Sequence, residues 1–173
     1  MDSSIMDSRR KVSMNEKLTK MLQAQINWEL YSAYAYYAVS EFYRRKGLKG
    51  FHVFFSKQAQ EEMEHAEKLS EYLADHDSRV LFSDIKALRK DFTELRDPLV
   101  FFVEHEKEVT SLIHALYREA REEDDLEAME FLRWYVNEQT EEEKTSKELL
   151  EKFDLFVKDN SLALYQLDKE LAK

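Results

Sequence analysis

The side chains of this sequence that could do chemistry together are carboxylates and one imidazole, set at helical spacing. Glu62 and His65 stand three positions apart in Gln60-Glu-Glu-Met-Glu-His65. That is one helical turn, so both side chains reach one metal ion from the same face. Alone, such a pair is a weak signal, because acidic helices produce it by chance as an exposed ion-pairing turn. Three other segments add to it. Glu29 lies between Ile26 and Ala33, Glu106 follows Val103 and precedes Ile113, and Gln139 with Glu142 follows Leu132 and Tyr135 before Leu149 resumes the stripe. Each sits where an apolar stripe asks for leucine. A carboxylate left alone in a core is costly and must be paired, protonated or metal-bound. No Lys or Arg takes a matching place. A pair of divalent cations neutralises several converging carboxylates and an imidazole, and this donor set suits iron, manganese or zinc better than calcium. The competing reading is a metal-free helical scaffold, in which the polar cluster is a hydrogen-bonded network that fixes helix register.

Positioning these groups requires long helices, and the composition supplies them. The chain has 173 residues, 43% of them hydrophobic and 36% charged, with only 2 Gly and 1 Pro. That suits one domain with a sizeable core, and the shortage of turn formers predicts long uninterrupted helices. Net charge is −10, which disfavours nucleic acid as a partner and is compatible with cation binding. The chain has no cysteine, so disulfides, thiolate catalysis and Cys-ligated zinc or iron–sulfur clusters are excluded. No apolar run of the ~18 residues needed to span a bilayer occurs, and Met1 to Met14 lacks the apolar core of a secretory signal. A soluble, cytoplasmic protein with no membrane partner is expected.

Hydrophobic spacing then sets the elements. Residues 1–12 read as a flexible leader and 13–173 as a single domain. A first helix is expected from about Asn15 to Lys46, with Leu18, Leu22, Ile26, Leu30, Ala33 and Tyr37 on its apolar face. Gly47 and Gly50 mark a tight turn, and a second helix follows from Phe51 to Asp75. From His76 to Arg96 the pattern weakens into a short helix or ordered loop, long enough to cross the length of a bundle. Asp97 as N-cap and Pro98 at the first helical position open a third helix to Glu122. The Glu-Glu-Asp-Asp segment at 122–125 caps a fourth, from Leu126 to Lys158, and Asn160 and Ser161 start a short fifth, from Leu162 to Leu171. Connections that run short, long, short predict an all-α, ferritin-like four-helix bundle with one long crossover and a short fifth helix.

The segments Asn27-Trp-Glu-Leu-Tyr-Ser, Gln60-Glu-Glu-Met-Glu-His65, His105-Glu106 and Phe131-Leu-Arg-Trp-Tyr-Val-Asn-Glu-Gln-Thr-Glu-Glu-Glu143 resemble bacterial non-haem ferritin, as does Leu164-Tyr-Gln-Leu-Asp-Lys-Glu-Leu171. The likeness covers roughly residues 15 to 171 and is poor in the leader and the crossover. It implies an iron-storage protein with ferroxidase activity, in which two Fe(II) ions are oxidised by dioxygen or hydrogen peroxide. Glu29, Glu62 and His65 would form one iron site. Glu62 would bridge to a second with Glu106 and Glu142, and Gln139 would lie beside it. Tyr36 resembles a tyrosine kept near the site as an electron donor, and its bland alternative is packing. Glu61, Glu138 and Glu141 resemble a third iron site, the alternative being a solvated acidic face. The resemblance also implies a homo-oligomeric shell of 24 subunits enclosing a ferric mineral.

Several neighbouring readings fare worse. Met63 stands where haem-binding bacterioferritins carry a haem-ligating Met, but non-haem members carry Met there too and the fourth helix lacks the bacterioferritin His, so no haem is expected. A rubrerythrin-like peroxidase is disfavoured by the absence of cysteine. A DNA-coating mini-ferritin is disfavoured because its ligands lie between subunits. His52, His76, His105 and His114 are expected at the surface or in packing, and Phe101, Phe102, Phe131, Trp134 and Phe153 in the core or at subunit contacts.

Overall fold

The structure, a computed structural model, describes residues 14–88, 91–158 and 160–173. The expected leader, residues 1–12, lies outside them. The described residues form helices α1 (Glu16–Arg45), α2 (Lys49–Asp75), α3 (Asp97–Glu122), α4 (Leu126–Lys152) and α5 (Ser161–Leu171), with a π-helical turn at Phe153–Val157 between the last two. No strand occurs among them. At 1.5 Å per residue the 30 residues of α1 span about 45 Å. The expected four-helix bundle with a short fifth helix is what forms. α1 packs chiefly on α2 and α3 on α4, so the bundle is two helical hairpins laid together.

The crossover, residues 76–96, takes the irregular form of the two expected, with no helix among its described residues. Gln23 donates to the Arg79 carbonyl, Asn27 to that of Asp84 and Tyr43 to that of Leu95. The strap therefore climbs alongside α1 and delivers the chain back to the end where α1 finished. α3 starts there and runs the same way as α2.

Local chemistry explains most helix ends. Asn15 caps α1 by accepting from the amides of Lys17 and Leu18, Asp125 caps α4 through the amide of Ala128, and Asn160 caps α5 through those of Leu162 and Ala163. Four expectations need correction. Asp97 does not cap its own helix: its carboxylate accepts from the amides of Thr93 and Glu94, closing the turn before α3. The fourth helix does not stay α-helical to Lys158. It widens at Phe153, which buries Phe153 and Val157 and sets the Asp154 carboxylate to accept from Nε and Nη2 of Arg96 at 2.6 and 2.8 Å. On α1 the apolar face reaches Tyr36, fully buried, whereas Tyr37 is 58% exposed. Gly47 alone serves the α1–α2 turn, at φ +76°, since α2 begins at Lys49 and holds Gly50 in its first turn.

Gly50 is explained by α5 instead. A Cβ there would run into the backbone carbonyl of Asp168, and the Asp168 carboxylate accepts from the amides of Gly50 and Phe51 at 2.7 and 3.1 Å. α5 thus supplies the cap that Leu48 cannot.

The apolar core is split in two. One half gathers Leu18, Leu22, Ile26, Leu69, Leu73, Ile113 and Leu132. The other gathers Tyr36, Phe42, Tyr43, Phe51, Phe55, Phe102 and Leu149. Between them on every long helix lie buried polar residues. Gly50→Ala is expected to lower stability by about 1–3 kcal/mol through this overpacking and to release α5. Urea unfolding measures the first, and loss of amide-exchange protection in α5 measures the second.

Candidate metal centre

The polar layer between the two half-cores is the candidate site. Glu29 from α1, Glu62 and His65 from α2, Glu106 from α3, and Gln139 and Glu142 from α4 are all buried. The stripe logic therefore holds: these residues do replace leucines on inward faces. One donor atom each from Glu29, Glu62 and His65 lies within 4.8 Å of the others, a spacing that can hold one metal ion. His65 Nδ1 is 3.1 Å from Glu62 Oε2. Tyr135 of α4 donates its hydroxyl to the His65 carbonyl at 2.8 Å, tying α4 to the turn of α2 that bears the imidazole.

Glu106 and Glu142 face the same space but are not in that tight trio. The Glu106 carboxylate accepts from the Tyr36 hydroxyl and, at 3.1 Å, from Gln139 Nε2. Glu142 is approached by Gln58 Nε2 at 3.4 Å, and Gln58 bonds Glu61 at 2.7 Å. Of the three residues expected at a further site, Glu61 is exposed and electrostatically coupled to the half-buried Glu138. Glu141 is exposed and sits 4.0 Å from Lys144. Glu29, Glu62 and His65 form the one such metal-type group among the described residues.

Burial sets the protonation of this layer. Desolvation and then the Glu62 charge raise the Glu29 carboxyl well above the usual range. Glu62 is raised likewise, by desolvation and then by Glu106. Burial also raises Glu106, against the stabilising bonds from Tyr36 and Gln139. Glu142 is pushed up to about 8, first by burial and then by Glu106 and Glu61. Without a cation Glu142 therefore keeps a proton at neutral pH, and Glu29, Glu62 and Glu106 hold theirs more tightly than exposed carboxyls do. Glu29 shows the strain most plainly: Oε1 accepts from Gln25 at 2.8 Å, while Oε2 is buried and faced by no donor other than a proton shared with the Glu62 carboxylate. Two buried carboxylates that close, with an imidazole beside them, fit a divalent cation in place of that proton.

Sequence reasoning missed the supporting roles of Gln25 and Gln58, whereas His105, expected at the surface or in packing, is a packing residue. Gln25 and Gln58 stand one turn before Glu29 and Glu62, as Gln139 does before Glu142, so that spacing could have exposed them. His105 is fully packed: Ser32 Oγ lies 2.7 Å from its Nε2, it stacks on Phe101 and Trp28, and burial lowers its pKa to about 4. Trp134, expected in the core or at a subunit contact, is 37% exposed, its ring edge against His65 at 5.4 Å.

A bundle crossed at mid-height by carboxylates and an imidazole, with one long strap, is the ferritin-like architecture. The ferritin-like domain family matches residues 19–156, and the chain belongs to the ferritin family. A probable bacterial non-heme ferritin-like protein of Haemophilus influenzae is 37% identical over 91% of this chain and 95% of its own length. The bacterial non-heme ferritin of Campylobacter jejuni is 33% identical over 90% and 93%. An open pore ferritin from the hyperthermophilic archaeon Archaeoglobus fulgidus superposes with a TM-score of 0.89 at 37% identity, covering 92% of this chain and 97% of that one.

The raised acids make a stability prediction. Between roughly pH 4.5 and 8 the folded metal-free protein holds a proton on Glu142 that the unfolded chain has lost. This group's contribution therefore falls as pH rises through that window. Urea unfolding of metal-free protein is expected to show Glu142→Gln gaining on the parent as pH rises from 5 to 8, by at most about 1.4 kcal/mol per pH unit.

Proposed function

We propose that this protein is an iron-storage ferritin whose subunit oxidises Fe(II) to Fe(III) at the polar layer and passes the product to a ferric mineral inside a multi-subunit shell. The observation that carries the reading is the buried Glu29–Glu62 carboxylate pair beside His65, with one donor atom of each within 4.8 Å of the others. Family membership supplies the context. The iron is substrate and cargo, taken up as Fe(II), with dioxygen or hydrogen peroxide as electron acceptor. No haem is part of the proposal.

Glu29, Glu62 and His65 take the first Fe(II). Glu62 serves both positions, since Glu106 and Glu142 are among the charges that raise it, and those two take the second. Binding displaces protons from the buried acids, so uptake strengthens as pH rises. Hard carboxylate oxygens favour Fe(III) over Fe(II), which drives oxidation. Gln139 holds the Glu106 carboxylate in position and Gln58 approaches that of Glu142. Tyr36, bonded to Glu106, donates an electron and hands its proton to that carboxylate. The second iron has carboxylates but no imidazole and is held more weakly, which lets product leave. Glu61 and Glu138, with Glu141, receive iron beside the pair, at the exposed side of the layer.

Exposed apolar residues support assembly with further copies. Leu81, Phe82 and Ile85 on the crossover, and Leu155, Phe156, Leu162 and Tyr165 around the π-helical turn and α5, are each 46% exposed or more. A shell of 24 copies in the cytoplasm is the proposed form. Among the described residues no helix is long and apolar enough to cross a membrane.

Aerobic Fe(II) loading of metal-free protein followed by gel filtration tests the whole reading. Iron far in excess of the ligands is expected to travel with a very large particle. A pair of irons on a small particle would leave oxidation and remove storage. Iron oxidised no faster than in buffer would overturn the ferroxidase itself. Glu62→Gln is expected to slow oxidation at least about tenfold with the fold intact. Glu142→His is expected to slow release of Fe(III) to the mineral, and equal release from both proteins would remove the role given to the missing second imidazole.

A further inference from the structure

The site leaves one group of rings unused. Trp28 is half-buried on α1, four residues from Ser32, and its indole Nε1 is buried with no hydrogen-bond partner. A buried indole usually finds an acceptor. Here the ring is stacked face to face on His105 instead, centroids 5.9 Å apart and planes 12° from parallel. His105 meets the Tyr36 ring edge-on at 5.5 Å, and Tyr36 gives its hydroxyl hydrogen to Glu106. Ser32 holds the imidazole through Nε2. Tyr31 closes the cluster, 5.6 Å from Trp28 and 5.7 Å from His105, and lines a surface cavity under the crossover together with Phe101. Rings in contact therefore lead without a gap from the carboxylate layer to a half-buried, oxidisable indole.

From these contacts we infer that Trp28 is the electron donor that restores Tyr36 after each oxidation, an inference that rests on the ferroxidase reading above. Reducing dioxygen fully to water takes four electrons and a pair of Fe(II) ions supplies two, so Tyr36, bonded to the layer through Glu106, must give one electron twice for each dioxygen and be restored in between. Tyr36 loses one electron to the oxidant, and its phenolic proton goes to Glu106. Trp28 then gives one electron through the His105 ring. The Tyr36 phenoxyl takes that electron, recovers the proton from Glu106 and is phenol again. Trp28 is left as an indole radical cation, which keeps its N–H proton because Nε1 has no acceptor. One electron from a further Fe(II) ion in solution refills it, leaving that ion as Fe(III). Charge and protons balance, and the indole serves as a conduit rather than a trap.

Freeze-quench electron paramagnetic resonance of Fe(II)-loaded protein mixed with dioxygen tests this. In the parent a short-lived tyrosyl signal is expected, absent from Tyr36→Phe. In Trp28→Phe, which keeps a ring in the stack but cannot be oxidised readily, the tyrosyl signal is expected to decay at least about tenfold more slowly. Trp28→Tyr, with an oxidisable ring in the same place, is expected to bring the decay back toward the parent rate. Trp134→Phe, which removes the other tryptophan, is expected to decay as the parent does. Unchanged decay in Trp28→Phe overturns the proposal, as does iron oxidation in the parent with no tyrosyl signal. Iron oxidised no faster than in buffer is a different failure, that of the ferroxidase reading.

Discussion

Carboxylic acids from four helices share a buried volume at the middle of this bundle, and the rest of the structure is arranged to tolerate that. Taking ionised carboxylates out of water is expensive, and close like charges raise the cost further. Glu29, Glu62, Glu106 and Glu142 all have raised proton affinity for this reason. The two half-cores on either side bury the apolar surface that offsets the cost. A fold that needed only stability would fill the gap with leucine, and such replacement of buried charge is often stabilising. Keeping the acids makes chemical sense when a cation completes them.

The layer is held in place by hydrogen bonds from amides and a phenol around its carboxylates and imidazole. Gln25 fixes one oxygen of Glu29, Gln139 fixes Glu106, and Tyr135 ties the backbone at His65 to α4. Such outer contacts decide the direction in which a ligand's free lone pairs point. They also explain why the open coordination is concentrated between Glu29 Oε2 and Glu62: most other carboxylate oxygens of the layer already accept a hydrogen bond or lie against one.

Much of this was legible in the sequence because helical periodicity makes an inward polar residue conspicuous. Glu29, Glu62, His65, Glu106, Gln139 and Glu142 could be placed on buried faces from spacing alone, and the long connection fixed the bundle type. What escaped depends on contacts between residues distant in sequence. Nothing near Gly50 reveals that Asp168 lies over it, and two glycines three apart look like a turn. Asp97 before Pro98 looks like a cap, yet its carboxylate turns back to the amides of Thr93 and Glu94. A stripe extended one residue too far chose Tyr37 over Tyr36, because small errors in phase accumulate along 30 residues. His105 could be read only as a surface or packing residue, since Trp28, Tyr31, Ser32 and Tyr36 reach it from α1 and its own helix offers only the Phe101 ring.

The contact between Asp168 and the start of α2 has a consequence for biosynthesis. The helix bearing Glu62 and His65 gets its first-turn hydrogen-bond acceptor from a residue 118 positions downstream. While the chain is being made, α1 and α2 can pair as a hairpin, but the amides of Gly50 and Phe51 have only water to bond. They gain the carboxylate once residue 168 has left the ribosome and α5 has folded back. The helix bearing Glu62 and His65 is therefore completed late, after the helices bearing Glu106 and Glu142 have been synthesised, so the nascent hairpin alone carries that pair on a helix without its first-turn acceptor.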